Sequence, residues 1–200
     1  MSATESKMLA LGTPAPSFTL PDVANGTLHR LEDFGEAKAL LVVFLCAHCP
    51  YVLHVAPALA RIARDHSDSP LTIVGITSND IAQYPDDAPE PTDRFAVEQG
   101  FSFPILFDES QAVAHAYSAA CTPDFFLFDA KRKLAYRGQI DSSRPMRGPD
   151  RPGHGEANGA DLRAAIAAVL AGQPVPEPQR ASIGCNIKWK AGNEPAPAKF

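Results

Sequence analysis

The sequence predicts an α/β fold in which a mixed β-sheet is flanked by helices. A continuous apolar run at 39–45 and a second predicted buried strand at 71–77 are separated by an amphipathic helical pattern, which is typical of a strand–helix–strand unit. Two further apolar runs, at 125–128 and 134–137, surround a basic turn and predict a β-hairpin. A content of 45% hydrophobic and 20% charged residues is ordinary for a globular chain and excludes a wholly disordered protein.

The first half of the chain predicts a small hairpin before the strand–helix–strand unit. The Asn-Gly pair at 25–26 separates two short extended pieces, as expected of a tight hairpin turn. Residues 49–66 repeat apolar side chains at helical spacing, with Pro50 in the first turn, where its missing N–H costs nothing. Pro57 lies in the middle of this helix and is expected to kink it.

The second half predicts shorter elements and a closing helix. Residues 92–99 and 109–116 are predicted as short helices around a strand at 105–107. Asn158 offers an N-cap for the last helix, and Gly172 ends it. Strands that alternate with helices and then give way to a terminal hairpin imply a mixed sheet.

The chain divides into three predicted parts. Residues 1–10 are expected to be a flexible N-terminus, 11–172 the domain, and the Pro-rich segment 173–200 a tail that packs on the domain. The longest apolar run, 39–47, is far shorter than a membrane span, and the N-terminus has no apolar core typical of a signal peptide. We therefore expect a cytoplasmic protein that binds no membrane. A net charge of −5 argues against nucleic-acid binding.

Cys46-Ala47-His48-Cys49 lies where a buried strand ends and a helix begins. The partial positive charge of a helix N-terminus and a neighbouring imidazolium both favour a thiolate, so His48 is expected to lower a cysteine pKa. We expect Cys46 to be exposed and to attack a partner disulfide, and Cys49 to be more buried and to resolve the mixed disulfide. The two cysteines are therefore the predicted catalytic residues.

A pair of cysteines three residues apart also has other interpretations. It is half of a zinc site if Cys121 and Cys185, or His54, complete the ligand set. It is also compatible with two buried structural thiols. Alternatively, Cys121 and Cys185 act as additional redox thiols beside the pair.

Several stretches resemble the thioredoxin superfamily, more narrowly its branch of peroxiredoxins and membrane-anchored thiol-disulfide reductases. The resemblance covers roughly residues 10–190. The resemblance rests on Gly12 to Leu20, on the strand that leads into Cys46 to Pro50, and on Thr122-Pro123 before a strand. Residues 48–52, 78–80, 121–129 and 183–190 are similar to a peroxiredoxin-like subgroup.

The resemblance implies a thioredoxin-like fold in which Pro123 is cis and faces the dithiol. It also implies that the backbone of Thr122, beside this proline, binds an extended substrate segment. The sequence departs from the peroxiredoxins at the motif P-x-x-x-[ST]-x-x-C, which contains their peroxide-reactive cysteine. Alignment on Cys49 places Val42 at the proline and Cys46 at the hydroxyl position, so the usual peroxide-activating pocket is missing.

The sequence therefore predicts a thiol-disulfide oxidoreductase that cycles between the Cys46/Cys49 dithiol and its disulfide. Its expected partners are protein or small-molecule thiols and disulfides. Two alternatives stay open: an atypical thiol peroxidase, whose partners include peroxides, and a non-catalytic metal-binding or interaction module. The redox chemistry uses the cysteine sulfurs themselves, so no cofactor or metal is predicted.

Overall fold

The computed structural model describes residues 3–146 and 153–195 and contains ten strands and four helices in this part of the chain. In chain order they are β1 (Ala3–Glu5), β2 (Thr19–Pro21), β3 (Leu28–Arg30), β4 (Ala39–Phe44), α1 (Pro50–Asp65), β5 (Leu71–Thr77), α2 (Pro89–Gln99), β6 (Ile105–Phe107), α3 (Ala112–Ala116), β7 (Cys121–Thr122), β8 (Asp124–Asp129), β9 (Leu134–Gly138), α4 (Ala160–Leu170) and β10 (Ile183–Asn186). None of the described helices is long and apolar enough to cross a membrane.

A five-stranded mixed sheet forms the centre of the molecule, in the order β6-β5-β4-β8-β9. Strands β4, β5 and β6 run parallel, whereas β8 pairs antiparallel with both β4 and β9. Every residue of β4 is buried, because alternate side chains of this strand enter two apolar cores on opposite faces of the sheet. The predicted α/β class, mixed sheet and thioredoxin-like fold are confirmed.

Most predicted elements agree with the structure to within a few residues, and the exceptions have local causes. Helix α2 begins at Pro89, three residues before its predicted start, because Pro89 occupies the first turn, where a proline is tolerated. Helix α3 begins only at Ala112, because Gln111 adopts a left-handed conformation with φ of 65°. Gly159, with φ of 76°, is the N-cap of α4 instead of Asn158.

A second sheet joins the two ends of the chain, in the order β1-β10-β7. Residues Ala3–Glu5 pair with β10, so the prediction of a flexible N-terminus is wrong for them. Strand β10 lies in the predicted tail and pairs on its other side with β7, which places Cys185 opposite Thr122. Residues 1–2 and 196–200 of these two segments lie outside the described part.

Candidate active site

The two cysteines of the predicted dithiol lie in the turn between β4 and α1. Cys49 is the N-cap of the helix and Pro50 its first residue. The backbone N–H groups of the first helical turn lie beside Cys49, and the backbone of Val52 lowers the pKa of its thiol. The Cys46 thiol donates toward Cys49, and this interaction raises the pKa of Cys46 and lowers that of Cys49.

The turn between β7 and β8 faces this dithiol. The Thr122-Pro123 peptide bond is cis, as the family resemblance implies. The Cys46 Sγ lies 3.3 Å from the Thr122 Oγ1, and the Cys49 Sγ lies 3.1 Å from the Thr122 carbonyl oxygen, to which the protonated thiol donates. Thr122 therefore contacts both sulfurs.

Neither sulfur is exposed. Cys46 is 1% exposed and Cys49 0%, so the prediction of an exposed Cys46 is wrong. The turn at Thr122 lies against Cys46 on one side, and the buried carboxylate of Asp87 lies within 4.8 Å on the other. Thr122 and Asp87 are both distant from Cys46 in sequence, so the residues around Cys46 do not predict its burial.

The pKa values of the two thiols move in opposite directions. Hydrogen bonds from the Cys185 and Cys46 thiols, and from the backbone N–H groups of Val52 and Cys185, hold the pKa of Cys49 well below its usual range. The pKa of Cys46 is raised, because Cys46 donates to Cys49, is buried, and faces the negative charge of Asp87. The helix terminus thus favours the thiolate at Cys49, whereas Cys46, the cysteine expected to attack a partner disulfide, is held protonated.

His48 is paired with a carboxylate that the sequence analysis did not identify. The His48 Nδ1 lies 2.8 Å from the Asp87 Oδ2, and this interaction raises the pKa of His48. Asp87 is fully buried and accepts hydrogen bonds from the Ala47 N–H at 3.0 Å and the Asn79 Nδ2 at 2.7 Å. The Tyr84 ring stacks on His48 at 5.7 Å. The residue before Asp87 is also an aspartate and is exposed, so the sequence gives no signal for choosing Asp87.

The other two cysteines differ in their relation to the dithiol. Cys185 is hydrogen-bonded to Cys49 through both its thiol and its backbone N–H. Cys121 is fully buried, and its thiol donates to the Pro123 carbonyl oxygen at 3.6 Å. Burial raises the pKa of Cys121. The structure therefore brings Cys185 to the predicted pair, while Cys121 binds the backbone behind the turn.

One group of side chains in the described part of the chain has metal-binding donors close together: Cys46, His48 and Asp87, within 4.8 Å of one another. Both Asp87 oxygens already have partners, so a cation would have to displace some of them. His54, which the sequence analysis considered as a ligand, instead binds Ser143 through its Nε2 at 2.9 Å. The donor set fits a metal ion only in part.

A groove of about 330 Å³ opens beside the dithiol. Its walls include Ala47 and His48 on one side and Arg94 and Phe95 of α2 on the other. Leu53 of α1 also lines the groove and is 45% exposed. The groove offers apolar contacts and both signs of charge, because Asp86 and Glu98 line it together with Arg94.

The Redoxin family model matches residues 10–152, which include both cysteines of the dithiol and the cis proline. The chain belongs to this family, a branch of the thioredoxin superfamily.

Solved structures and a curated protein are also similar to the chain. A crystal structure of an uncharacterized conserved protein from Geobacillus kaustophilus is 49% identical, with a TM-score of 0.89, over 95% of this chain and 97% of that one. A hypothetical protein from Sinorhizobium meliloti 1021 is 46% identical, with a TM-score of 0.89, over 94% and 100% of the two chains. Thiol-disulfide oxidoreductase ResA from Geobacillus thermodenitrificans is 27% identical over 66% of this chain and 70% of its own length.

Proposed function

We propose that this protein is a thiol-disulfide oxidoreductase whose redox centre is the Cys46/Cys49 pair. One observation carries the proposal: the two sulfurs are hydrogen-bonded to each other and both contact Thr122 beside the cis proline. Adjacent thiols at a helix N-terminus form and break a disulfide by exchange through a mixed disulfide. The similarity to a protein named thiol-disulfide oxidoreductase supports the same chemistry.

The cycle moves two electrons. One cysteine sulfur attacks a substrate disulfide, which breaks the substrate S–S bond and releases one substrate thiol. The second cysteine sulfur attacks the mixed disulfide, which forms the Cys46–Cys49 bond and releases the second substrate thiol. The substrate gains two electrons and two protons, and the protein loses both thiol protons. In the opposite direction, substrate thiols reduce the Cys46–Cys49 disulfide.

His48 and Thr122 have supporting roles in this proposal. The His48 imidazolium, held by Asp87, lies close enough for its charge to interact favourably with the Cys49 thiolate. His48 also borders the groove, so it acts where a substrate arrives. Thr122 positions both sulfurs, and its backbone is already paired with β10, so an extended substrate has to enter from the groove or displace this strand. Substrates are thus protein or small-molecule disulfides that reach the groove.

The test is the stoichiometric reaction of the fully reduced protein with insulin and with glutathione disulfide. We expect loss of two protein thiols, which in Cys185→Ser are located at Cys46 and Cys49 by alkylation and mass spectrometry. In that Cys185→Ser background, Cys46→Ser and Cys49→Ser should reduce neither substrate to completion, whereas Cys121→Ser should react fully. Equal activity of Cys46→Ser/Cys185→Ser and Cys185→Ser would contradict the proposal.

A second candidate function is reduction of hydroperoxides, an antioxidant activity. The lowered pKa of Cys49 favours it, because a thiolate at a helix N-terminus is the form that attacks peroxide. Turnover of hydrogen peroxide with a thiol reductant should then be lost in Cys49→Ser and retained, with slower recycling, in Cys46→Ser. An absence of peroxide turnover in the unsubstituted protein would remove this candidate.

The cytoplasmic location predicted from the sequence is part of the same proposal. In a reducing compartment, thiols such as these four are held reduced, and a disulfide formed during the cycle is transient. Cell fractionation combined with rapid acid trapping of thiols tests both points. Recovery of the protein in an exported fraction with a stable disulfide would contradict the proposed location.

A further inference from the structure

The C-terminal strand β10 brings a third thiol into contact with the dithiol. The Cys185 thiol is hydrogen-bonded to the sulfur of Cys49, and Cys49 is hydrogen-bonded in turn to Cys46. Cys49 is thus the sulfur that contacts both of the others. The family model ends at residue 152, so its match assigns no role to Cys185.

The register of the β1-β10-β7 sheet determines on which face of the sheet Cys185 lies. Cys185 is paired with Thr122 and Asn186 with Cys121. Because successive residues of a strand face opposite sides, Cys185 shares the face of Thr122, toward the dithiol, and Cys121 lies on the other face. A bond between Cys185 and Cys49 is therefore compatible with the pairing, whereas a bond between Cys185 and Cys121 is not.

Gly184 holds this strand close to the cis proline turn. A Cβ atom at this position would lie 2.0 Å from the Thr122 carbonyl oxygen and 2.5 Å from its carbonyl carbon. Only glycine allows such an approach without displacing the strand. The absence of a side chain at 184 thus places the next residue, Cys185, against Cys49.

The segment after β10 is bound to the opposite side of the site. The Lys188 N–H donates to the Asn79 Oδ1 at 2.8 Å, and the Asn79 Nδ2 donates to the Asp87 carboxylate that pairs with His48. The Lys188 Nζ also lies 5.6 Å from the centre of the Tyr84 ring. The tail is therefore tied to the groups around both sulfurs and holds Cys185 in place.

We propose that Cys185 is a third catalytic thiol, which exchanges with the Cys46–Cys49 disulfide to form a Cys49–Cys185 disulfide. The inference rests on the proposed function, because the first disulfide comes from that cycle. The Cys185 thiol loses its proton and its sulfur attacks the Cys49 sulfur. A Cys49–Cys185 bond forms, the Cys46–Cys49 bond breaks, and Cys46 leaves as a thiolate that takes up a proton. No electron enters or leaves the protein.

The environment of Cys46 affects two stages of this exchange differently. Burial and the charge of Asp87 raise the pKa of Cys46, which slows its departure as a thiolate but keeps the released Cys46 protonated once it has taken up its proton. The sulfurs of Cys49 and Cys185 are not bonded in the structure and have to approach to about 2.05 Å to form the bond. The oxidised protein then has two forms, and the second one links the tail covalently to the start of α1.

Trapping the oxidised protein tests the proposal. The full chain is oxidised with one equivalent of diamide, quenched in acid, alkylated and digested with trypsin. Cys46 and Cys49 fall on the fragment 39–61, Cys121 on 95–131 and Cys185 on 181–188, so each pair of linked fragments has its own mass. We expect the unsubstituted protein to give both an internally linked 39–61 and a 39–61/181–188 cross-link.

Matched variants identify the sulfurs. Cys46→Ser should give the 39–61/181–188 cross-link alone, Cys49→Ser should lose it, and Cys121→Ser should match the unsubstituted protein. Absence of the cross-link from the unsubstituted protein, while 39–61 is internally linked, would overturn the role of Cys185 and leave the proposed function intact. Absence of both linkages would overturn the proposed function as well. Near-ultraviolet circular dichroism of each reduced variant verifies that it is folded.

Discussion

Replacement of Asp87 by asparagine tests the electrostatics that the site depends on. The carboxylate accepts from the Ala47 N–H and from Asn79, and pairs with His48. Asparagine retains one oxygen, which can still accept from Ala47, but it presents an NH₂ group to the Asn79 donor and removes the charge that pairs with His48. With roughly 1.5–3 kcal/mol for each hydrogen bond to a charged group, two lost partners cost about 3–6 kcal/mol of unfolding free energy.

This cost should depend on pH, because Asp87 raises the pKa of His48. A folded-state pKa above the unfolded value of about 6.5 means that the ion pair stabilises fully below about pH 6.5. Its contribution is lost as the pH rises through the folded-state pKa. The destabilisation by Asp87→Asn should therefore be largest near about pH 5.5 and smaller near about pH 8. It should not vanish, since the contacts to Ala47 and Asn79 do not titrate.

Urea unfolding of the reduced proteins at several pH values measures this effect. Asp86→Asn is the matched control, because Asp86 is adjacent and exposed, and its cost should stay below about 0.5 kcal/mol. His48→Gln should remove the pH-dependent part. Equal costs for the two aspartate variants, or a cost of Asp87→Asn that grows with pH, would refute the reasoning.

Three further predictions concern neighbouring groups. Cys49→Ser should abolish the thiolate ultraviolet absorbance at neutral pH, whereas Cys121→Ser should retain it, because the pKa of Cys49 is lowered and that of Cys121 is raised. Retention of the absorbance in Cys49→Ser would contradict the assignment. Gly184→Ala should cost about 2–4 kcal/mol of unfolding free energy, because its Cβ meets the Thr122 carbonyl oxygen at 2.0 Å, and a neutral result in urea unfolding would be inconsistent with the close approach. Burial raises the pKa of Asp124 to about 7, and because the unfolded carboxyl ionises first, the native state loses stability between about pH 4 and pH 7. The unfolding free energy of Asp124→Asn should therefore rise by up to about 4 kcal/mol relative to the unsubstituted protein over that range. Parallel pH profiles of the two proteins would argue against this prediction.

The large elements of the fold were predictable because their patterns are local and long. Strand β5 matches its predicted range of 71–77, and α1 was predicted to within one residue at each end, since each buries a continuous or periodic set of apolar side chains. Strands β1, β7 and β10 were not predicted. They span two to four residues and exist because distant segments pair with one another, which no local pattern records.

The site was predictable in its sulfurs but not in its surroundings. The cysteine spacing located Cys46 and Cys49, and the family resemblance located the cis proline. The burial of Cys46 comes from the turn at Thr122 and the loop that carries Asp87, both distant in the chain. The lowered pKa belongs to Cys49 for the same kind of reason, since two of its hydrogen-bond donors come from Cys185 in the tail.

Redox titration of a variant that retains only Cys46 and Cys49 tests most directly whether these two sulfurs form a reversible couple. In dithiothreitol buffers of varied ratio, Cys121→Ser/Cys185→Ser should follow a two-electron curve, in which a tenfold change in the oxidised-to-reduced ratio corresponds to roughly 30 mV. A variant that carries Cys46→Ser as well should show no such transition. If the folded variant forms no intramolecular disulfide at any buffer ratio, the two cysteines are not a redox pair.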